Sequence, residues 1–353
     1  MVYLINILLL TIESQVLERY DKIGNAKKAF CILATIQWVL ISGLRGMSVG
    51  ADTLGYKIYR FERTAITPWS KLFDDFVEII FRGGDGKDPG YPILEKTMQI
   101  FCDNYQVWLI VIAVLFTVPM GIWIYKNSKN VYLSFLLYSC FFYEFFAITG
   151  HRQTIATGII VFMGYYFLKN KKLIKFLICA CIAYTIHKSS MVYILLFAVQ
   201  YLPINKKYIF AVIMATAVMF IFRNTVMSFL ASSSGYEDYA QQYEGAGTYN
   251  FTLLYFGMFA ASVWRFKESQ LGNDNWNIEF HALLLGMMFI PLTYVDPSAM
   301  RVVQYFSVYL ILIVGDIVES FQDKDRLIVQ GTIICTLILL LIMKNPQYVF
   351  FWQ

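Results

Sequence analysis

The chain of 353 residues is 58% hydrophobic and 18% aromatic, and only 15% of its residues are charged. About a quarter of the residues of a soluble domain are charged, so this composition excludes an ordinary soluble enzyme. The net charge of +5 does not indicate a nucleic-acid partner, because the 29 lysines and arginines are scattered between apolar segments and form no continuous basic stripe.

Apolar segments recur along the chain and predict an all-α, polytopic transmembrane helical bundle. The first, residues 1–12, lacks a basic leading region and a cleavage site, so we interpret it as a retained span rather than a signal peptide. Several later segments approach or reach the roughly 17–25 residues that a spanning helix needs. We expect about twelve spans (about 11–13) in a single membrane domain, residues 1–353, centred near residues 9, 36, 116, 139, 160, 179, 196, 214, 257, 285, 309 and 335.

Basic residues are concentrated in alternate connections between these spans, which predicts their orientation. The basic connections are expected in the cytoplasm and lie near residues 19–28, 126–129, 169–175, 206–207, 265–267 and 324–326. The opposite connections hold isolated basic residues, namely Arg152, Lys188, Arg223, Arg301 and Lys344. Residues 45–105 and 223–250 are then two loops on the outer side.

Both outer loops contain patterns of their own. In the first loop, residues 69–80 place apolar side chains at helical spacing, which predicts an amphipathic helix lying on the outer membrane surface. Apolar residues at 93–101 allow a second short helix. The second loop carries tyrosines that could stack on sugar rings, although an aromatic belt at the membrane interface is the commoner explanation. These are Tyr236, Tyr239, Tyr243 and Tyr249.

Polar residues that interrupt the apolar segments gather mainly at the outer ends of the predicted spans. They form four clusters: Arg45 with Asp52 and Tyr56, residues 151–154, residues 187–190, and Arg301. Ionisable groups in such positions usually mark a substrate path, because exposing them to lipid costs several kcal/mol. The alternative is that Arg45, Lys188 and Arg301 only extend their charged ends to the interface.

The residue types in these clusters suit phosphate chemistry. The planar fork of arginine matches two phosphate oxygens, so Arg45, Arg152 and Arg301 would suit a pyrophosphate-linked lipid. A histidine beside an arginine stays neutral and can act as a general base, which makes His151 and His187 candidates. The alternative for each is a histidine that hydrogen-bonds a helix end.

Other chemistries are weakly indicated. His281 lies in the inner part of the tenth predicted span, and we interpret it as structural. Asp85 and Asp88 are interpreted as a solvated turn rather than a metal site, because a third hard ligand is missing. We expect no metal and no cofactor.

Short motifs in a fixed order carry a resemblance to a known family. They are Leu44-Arg45, Gly50-x-Asp52 and Tyr56, then Pro89-Gly90-Tyr91-Pro92, then Arg152-Gln153, then His187-Lys188-Ser189. With these motifs the chain resembles the EpsG family of Wzy-like exopolysaccharide and capsule polymerases. The resemblance covers roughly residues 1–200, and the C-terminal third agrees in hydropathy and in Arg301.

The resemblance implies a glycosyltransferase that polymerises polyprenyl-diphosphate-linked oligosaccharide repeat units. Such an enzyme makes exopolysaccharide, capsule or O-antigen on the outer face of the bacterial cytoplasmic membrane. Its expected partners are the lipid-linked oligosaccharide, membrane lipid, a chain-length regulator and a flippase, with no nucleic acid. No nucleotide sugar is required, because the diphosphate already activates the donor.

Roles follow for the clustered residues. His187 or His151 would take the proton from the attacking sugar hydroxyl, and Asp52 would orient that base or bind sugar hydroxyls. The expected substrate-binding residues are Arg45, Arg152, Gln153, Lys188, Tyr91 and Arg301. Two alternatives stay open: a flippase or transporter of lipid-linked sugars, which would place charges through the bilayer midplane, and a membrane acyltransferase that modifies the polysaccharide.

Overall fold

The structure is a computed structural model that describes residues 1–20, 24–234, 248–271 and 273–353. Over these residues the chain is built from helices and contains no β-strand, and one isolated bridge pairs Arg45 with Phe350. The all-α prediction is therefore confirmed for the described part of the chain.

The first half of the chain forms twelve α-helices among the described residues: α1 (Val2–Tyr20), α2 (Ala26–Gly43), α3 (Thr53–Tyr56), α4 (Glu62–Ile66), α5 (Trp69–Phe81), α6 (Gly90–Phe101), α7 (Tyr105–Asn127), α8 (Val131–Leu137), α9 (His151–Thr157), α10 (Gly164–Lys169), α11 (Leu173–Ile186) and α12 (Ile194–Val199). Wider π-helical turns join or extend several of them, at Lys57–Phe61, Tyr138–Phe142, Glu144–Ile148 and Gly158–Met163. A 3₁₀ segment, Lys188–Tyr193, leads into α12.

The second half continues with α13 (Lys206–Ile221), α14 (Arg223–Ser234), α15 (Tyr249–Trp264), α16 (Phe266–Gln270), α17 (Trp276–Phe289), α18 (Met300–Ser307), α19 (Leu310–Glu319) and α20 (Asp323–Lys344). Two short 3₁₀ segments, Ile290–Tyr294 and Pro297–Ala299, connect α17 to α18. The tyrosines predicted at positions 236, 239 and 243 of the second outer loop, and Lys22 in the first basic connection, lie outside the described residues.

Asparagine side chains fix the start of three of these helices. Asn104 Oδ1 accepts from the backbone N–H of Gln106 at 2.8 Å, where α7 begins. Asn130 caps α8 and Asn205 caps α13 in the same way. The first N–H groups of a helix have no partner inside the helix, so such a cap stabilises it by about 1 kcal/mol.

The described residues contain four segments that are long and apolar enough to cross a membrane: Ala26–Gly43, Tyr105–Asn127, Trp276–Tyr294 and Asp323–Lys344. Two bent pairs, α13 with the start of α14 (80°) and Pro297–Ser307 with α19 (49°), raise this number to six. Three of the other predicted spans, those centred near residues 139, 160 and 196, fall on helices that π or 3₁₀ turns interrupt. The count of about twelve spans, the single-domain assignment and the two outer loops stay predictions.

One large cluster of buried apolar side chains extends from α1 to α20 and holds the helices together. Close packing of α2 along α7 also helps to hold the helices together. A Cβ built on Gly121 of α7 would lie 2.0 Å from Thr35 Oγ1 of α2, so a larger residue there would displace the Thr35 side chain. Small residues allow this kind of packing between membrane helices.

A second, smaller cluster of buried apolar side chains lies between the bundle and the segment that connects α2 to α7. It is formed by buried side chains of that segment and of α7, α9 and α11, namely Phe61, Tyr91, Tyr105, Trp108, Leu109, Ile112, Ile155 and Ile186. The two helices predicted in this segment are present as α5 and α6. The cluster anchors the segment against the bundle and thereby positions the residues that surround the candidate site.

Candidate functional site

The loop between α2 and α3 turns sharply at Gly50, whose φ is +88°. A Cβ at this position would lie 2.4 Å from the carbonyl oxygen of Ile148, so the turn requires glycine. Past the turn, Asp52 Oδ2 accepts from the backbone N–H of Gly150 at 3.3 Å. This contact fixes the loop against the turn that begins α9, where His151 and Arg152 lie.

Arg45 and His151 form a buried pair beside this loop, each about 1% exposed. Arg45 Nη2 lies 3.0 Å from His151 Nε2, and Arg45 also donates to Thr53 Oγ1 and to the carbonyl of Ser42. A guanidinium only donates hydrogen bonds, so Nε2 is the acceptor and the proton of a neutral His151 is on Nδ1. The lone pair that a general base would need is therefore occupied by Arg45.

Asp88 and His187 form a second buried pair. His187 Nδ1 lies 3.1 Å from Asp88 Oδ2, and the backbone N–H of Lys188 donates to Asp88 Oδ1 at 2.8 Å. Because an ionised carboxylate only accepts, Nδ1 carries the proton and the lone pair of a neutral His187 is on Nε2. Nε2 is buried and has no hydrogen-bond partner among the described residues.

The charges around this pair keep Asp88 ionised and His187 neutral. Burial works to raise the pKa of Asp88, but His187, Arg152 and the Lys188 N–H together hold that pKa below its ordinary value. Burial lowers the pKa of His187, and the positive charges of Arg152 and Arg301 lower it further against the opposing effect of Asp88. His187 is consequently neutral at pH 7, as a general base must be.

Arg152 and Tyr56 link the two pairs. Arg152 Nη1 donates to Asp88 Oδ2 at 2.5 Å, and Arg152 Nε donates to the Tyr56 hydroxyl at 3.1 Å. The ring of Tyr56 lies over that of His151, with 4.3 Å between centroids. A continuous path of contacts therefore joins Arg45 to His187 through residues from five separate segments of the chain.

The other predicted residues surround this path. Gln153 Nε2 donates to the carbonyl of Arg301 at 2.9 Å, which ties α9 to α18. Lys188 Nζ donates to the carbonyl of Gly86 at 2.9 Å and so holds the loop that carries Asp88. Burial lowers the pKa of Arg45 to about 10, so its guanidinium keeps its charge at neutral pH.

Two further predicted residues make contacts that position neighbouring segments. Asp52 contacts the turn before His151 rather than His187, as described above. Tyr91 is buried and its hydroxyl accepts from Trp108 Nε1 at 3.3 Å, which packs α6 against α7. His281 hydrogen-bonds Tyr208 and the carbonyl of Leu202, in agreement with its interpretation as structural.

Asp88 is the residue that sequence reasoning missed. The interpretation of Asp85 and Asp88 as a solvated turn holds for Asp85, which is exposed, and is wrong for Asp88, which is 1% exposed. The available signal was its position directly before the Pro89-Gly90-Tyr91-Pro92 motif. Its φ of +54° is uncommon for a residue other than glycine and shows how tightly the buried contacts fix it.

This arrangement can take a proton from a substrate hydroxyl close to several positively charged side chains. His187 Nε2 is oriented by Asp88 in the way that a buried carboxylate orients the histidine of hydrolase triads. Arg152 and Arg301 lie close enough for their charges to act on His187. Together these groups suit a reaction in which a hydroxyl attacks a carbon that carries a phosphate leaving group.

Comparison with known protein families gives a match over most of the chain. The model of the EpsG family matches residues 28–348, well beyond the roughly 200 residues over which short motifs carried the resemblance. No protein of curated function and no solved structure matches the chain significantly.

Proposed function

The chain belongs to the EpsG family, a family related to Wzy-like polymerases, and we propose that it polymerises polyprenyl-diphosphate-linked oligosaccharide repeat units on the outer face of the bacterial cytoplasmic membrane. The observation that carries the proposal is the buried Asp88–His187 pair: His187 Nε2 has no hydrogen-bond partner among the described residues, and the charges of Arg152 and Arg301 act on this histidine. The apolar helices are consistent with the membrane location.

The proposed step is a single transfer. His187 Nε2 takes the proton from a hydroxyl of the incoming lipid-linked repeat unit, and that oxygen forms a bond to the anomeric carbon of the growing glycan. The bond from this carbon to the diphosphate breaks, and its electron pair leaves with the polyprenyl diphosphate. Arg152 and Arg301 stabilise the charge that develops on the departing oxygen.

His187 is a better candidate for the base than His151. The Nε2 of His151 already accepts from Arg45, whereas the Nε2 of His187 has no hydrogen-bond partner among the described residues. We therefore assign His151 to holding Arg45, and Asp52 to holding the turn between α8 and α9. Asp88 is a positioning residue that keeps His187 and Arg152 in place.

The direct test is to incubate the purified protein with a short polyprenyl-diphosphate-linked repeat unit and to look for a ladder of longer glycans. We expect a ladder from the wild type, and a rate lower by roughly 10²–10⁴-fold in His187→Gln. Asp85→Asn, which changes an exposed carboxylate of the same loop, is the matched control and should keep the wild-type rate.

The positioning role of Asp88 has a separate readout. Because Asp88 raises the pKa of His187, we expect the acidic limb of the pH–rate profile to move to lower pH in Asp88→Asn, together with a lower maximal rate. A full-length ladder at the wild-type rate from both His187→Gln and Asp88→Asn would contradict these assignments.

One observation supports a transporter of lipid-linked sugars as a second candidate. Asn273 Nδ2 donates to the buried carboxylates of Glu279 (3.2 Å) and Asp316 (2.9 Å), and Lys129 Nζ lies 3.3 Å from Asp316. By the predicted orientation this group lies toward the cytoplasm, and a transporter needs polar groups that serve both faces. Substrate that stays unextended but crosses vesicle membranes would favour the transporter.

A further inference from the structure

A cavity of about 410 Å³ opens beside the start of α7, outside the path from Arg45 to His187. Three separate parts of the chain line it: the α2–α4 connection, the start of α7 and the segment after α20. The lining residues are Met47, Lys57, Asp103, Asn104, Tyr105, Gln106 and Phe351. Its volume falls within the range of about 300–1,000 Å³ that is usual for small-molecule sites.

The segment after α20 completes this cavity because it is held firmly against the α2–α3 loop. The backbone N–H of Gly46 donates to the carbonyl of Val349 at 2.8 Å, and that of Phe351 donates to the carbonyl of Leu44 at 3.0 Å. The Tyr348 hydroxyl donates to the carbonyl of Ile41 at 2.8 Å. Phe351 is therefore fixed in the wall, with about half of its surface exposed.

Two residues that line the cavity, Tyr105 and Gln106, also contact the surroundings of the Arg45–His151 pair. Tyr105 donates its hydroxyl to the carbonyl of Thr53, and its ring centroid lies 6.3 Å from that of His151. Gln106 Nε2 donates to the carbonyls of Gly43 (2.6 Å) and Arg45 (3.3 Å). A molecule in the cavity would thus lie directly beside the Arg45–His151 pair.

The chemistry of the lining distinguishes between possible occupants. Lys57 and Asp103 carry opposite charges, so the cavity does not select an anion such as a diphosphate. Asp103, Asn104 and Lys57 can accept and donate hydrogen bonds, while Phe351 presents a flat apolar surface. A lipid tail would leave these polar groups unpaired, which costs free energy. A sugar has hydroxyls around its rim and C–H groups on its faces, and it satisfies both kinds of lining.

We propose that this cavity binds sugar residues of the glycan, so that the saccharide is held beside the Arg45–His151 pair while the diphosphate and the lipid lie elsewhere. The proposal rests on the proposed function, since it names the saccharide subsite of that reaction. It assigns to Asp103 and Phe351 a role in recognising the saccharide.

Binding of a lipid-free saccharide tests the subsite apart from polymerisation. The probe is the repeat-unit oligosaccharide released from the host's own polysaccharide, titrated calorimetrically into the purified full-length protein in detergent. We expect saturable binding by the wild type, with affinity reduced roughly tenfold in Asp103→Asn and in Phe351→Leu. Asp85→Asn and Phe101→Leu change an exposed carboxylate and an exposed phenylalanine of the α4–α7 connection, and they should bind as the wild type does.

The outcomes separate this proposal from the proposed function. A ladder in the polymerisation assay without saccharide binding, or with equal binding by Asp103→Asn and Phe351→Leu, would overturn the subsite and leave the polymerase standing. Binding that depends on these two residues, in a protein that makes no ladder, would support the subsite while the polymerase fails. Displacement of the saccharide by polyprenyl phosphate alone would identify a lipid headgroup site and overturn the proposal.

Discussion

Arg45, Asp88 and Glu95 are buried in or beside the connection between α2 and α7, and each is held by different partners. Arg45 donates to His151, and Asp88 accepts from Arg152 and His187. Arg45 and Asp88 therefore remain charged. Glu95 Oε2 accepts a hydrogen bond from the Thr64 hydroxyl at 3.1 Å, and Glu95 Oε1 has no hydrogen-bond partner among the described residues.

Glu95 makes the stability of this segment dependent on pH. Burial raises the pKa of Glu95 to about 7, although the neighbouring Tyr91 and Thr64 hydroxyls and the charge of Arg60 act in the opposite direction. The folded state binds this proton more tightly than the unfolded state does. The contribution of protonated Glu95 to the free energy of unfolding is therefore complete below the ordinary pKa of a glutamate. It is lost as the pH rises toward 7 and stays lost at pH values above 7.

We expect Glu95→Gln to remove that pH dependence, because a neutral amide replaces the carboxylate that must ionise in an apolar setting. Above pH 8 the variant should be more stable than the wild type by up to about 3 kcal/mol, and at pH 4.5 the two should be similar. Thermal unfolding in detergent at both pH values measures this. Glu62→Gln, an exposed change on the neighbouring helix α4, is the control; equal Tm values for Glu95→Gln and the wild type at pH 8 would contradict the prediction.

At the level of elements, short helices and tight turns determine where the site residues meet. Asp52 lies after the turn at Gly50, and Asp88 lies in the loop that ends at the start of α6. Across the bundle, π-helical turns extend α8 and join α9 to α10, on either side of the turn that carries His151 and Arg152. Such wider turns inside helices are frequently found near functional sites.

We expect Gly50→Ala to displace the loop that carries Asp52, because a methyl group would meet the carbonyl oxygen of Ile148 and the residue would have to keep a positive φ. Gly83→Ala is a matched control: Gly83 also has a positive φ, of +71°, but a Cβ there meets nothing within 4 Å. Gly50→Ala should lower the Tm clearly more than Gly83→Ala and should slow ladder formation. Equal effects of the two changes would show that the clash is unimportant.

At the level of the whole molecule, the orientation in the membrane decides whether the site meets substrate on the outer side. The basic connections predict that Asp85 faces outward and that Lys172 faces the cytoplasm. Both side chains are exposed in the structure, so both positions are accessible to a reagent.

We expect a membrane-impermeant maleimide to label Asp85→Cys but not Lys172→Cys in intact cells, each in a variant whose six native cysteines are replaced by alanine. The position at 172 should become labelled once the membrane is permeabilised. Labelling at 172 in intact cells, with none at 85, would place the Asp88–His187 pair on the cytoplasmic side and would remove the outer-face polymerase.

The sequence by itself determined the helical class, the two helices of the segment between α2 and α7, and most of the residues that gather around the site. These follow from composition, from hydrophobic spacing along one stretch of chain and from polar residues that interrupt apolar segments, which are local properties. The order of short motifs also indicated the family, and the family match bears this out.

Only the tertiary structure decided which of these residues touch. Asp88 and His187 are 99 positions apart, and Phe351 reaches the cavity beside Tyr105 from the far end of the chain. Whether Asp88 is a solvated turn residue or a buried partner of His187, and which nitrogen of each histidine is available, depends on long-range packing. Spacing along a sequence carries no information about contacts of that kind, because they form only when distant helices bury each other's polar groups.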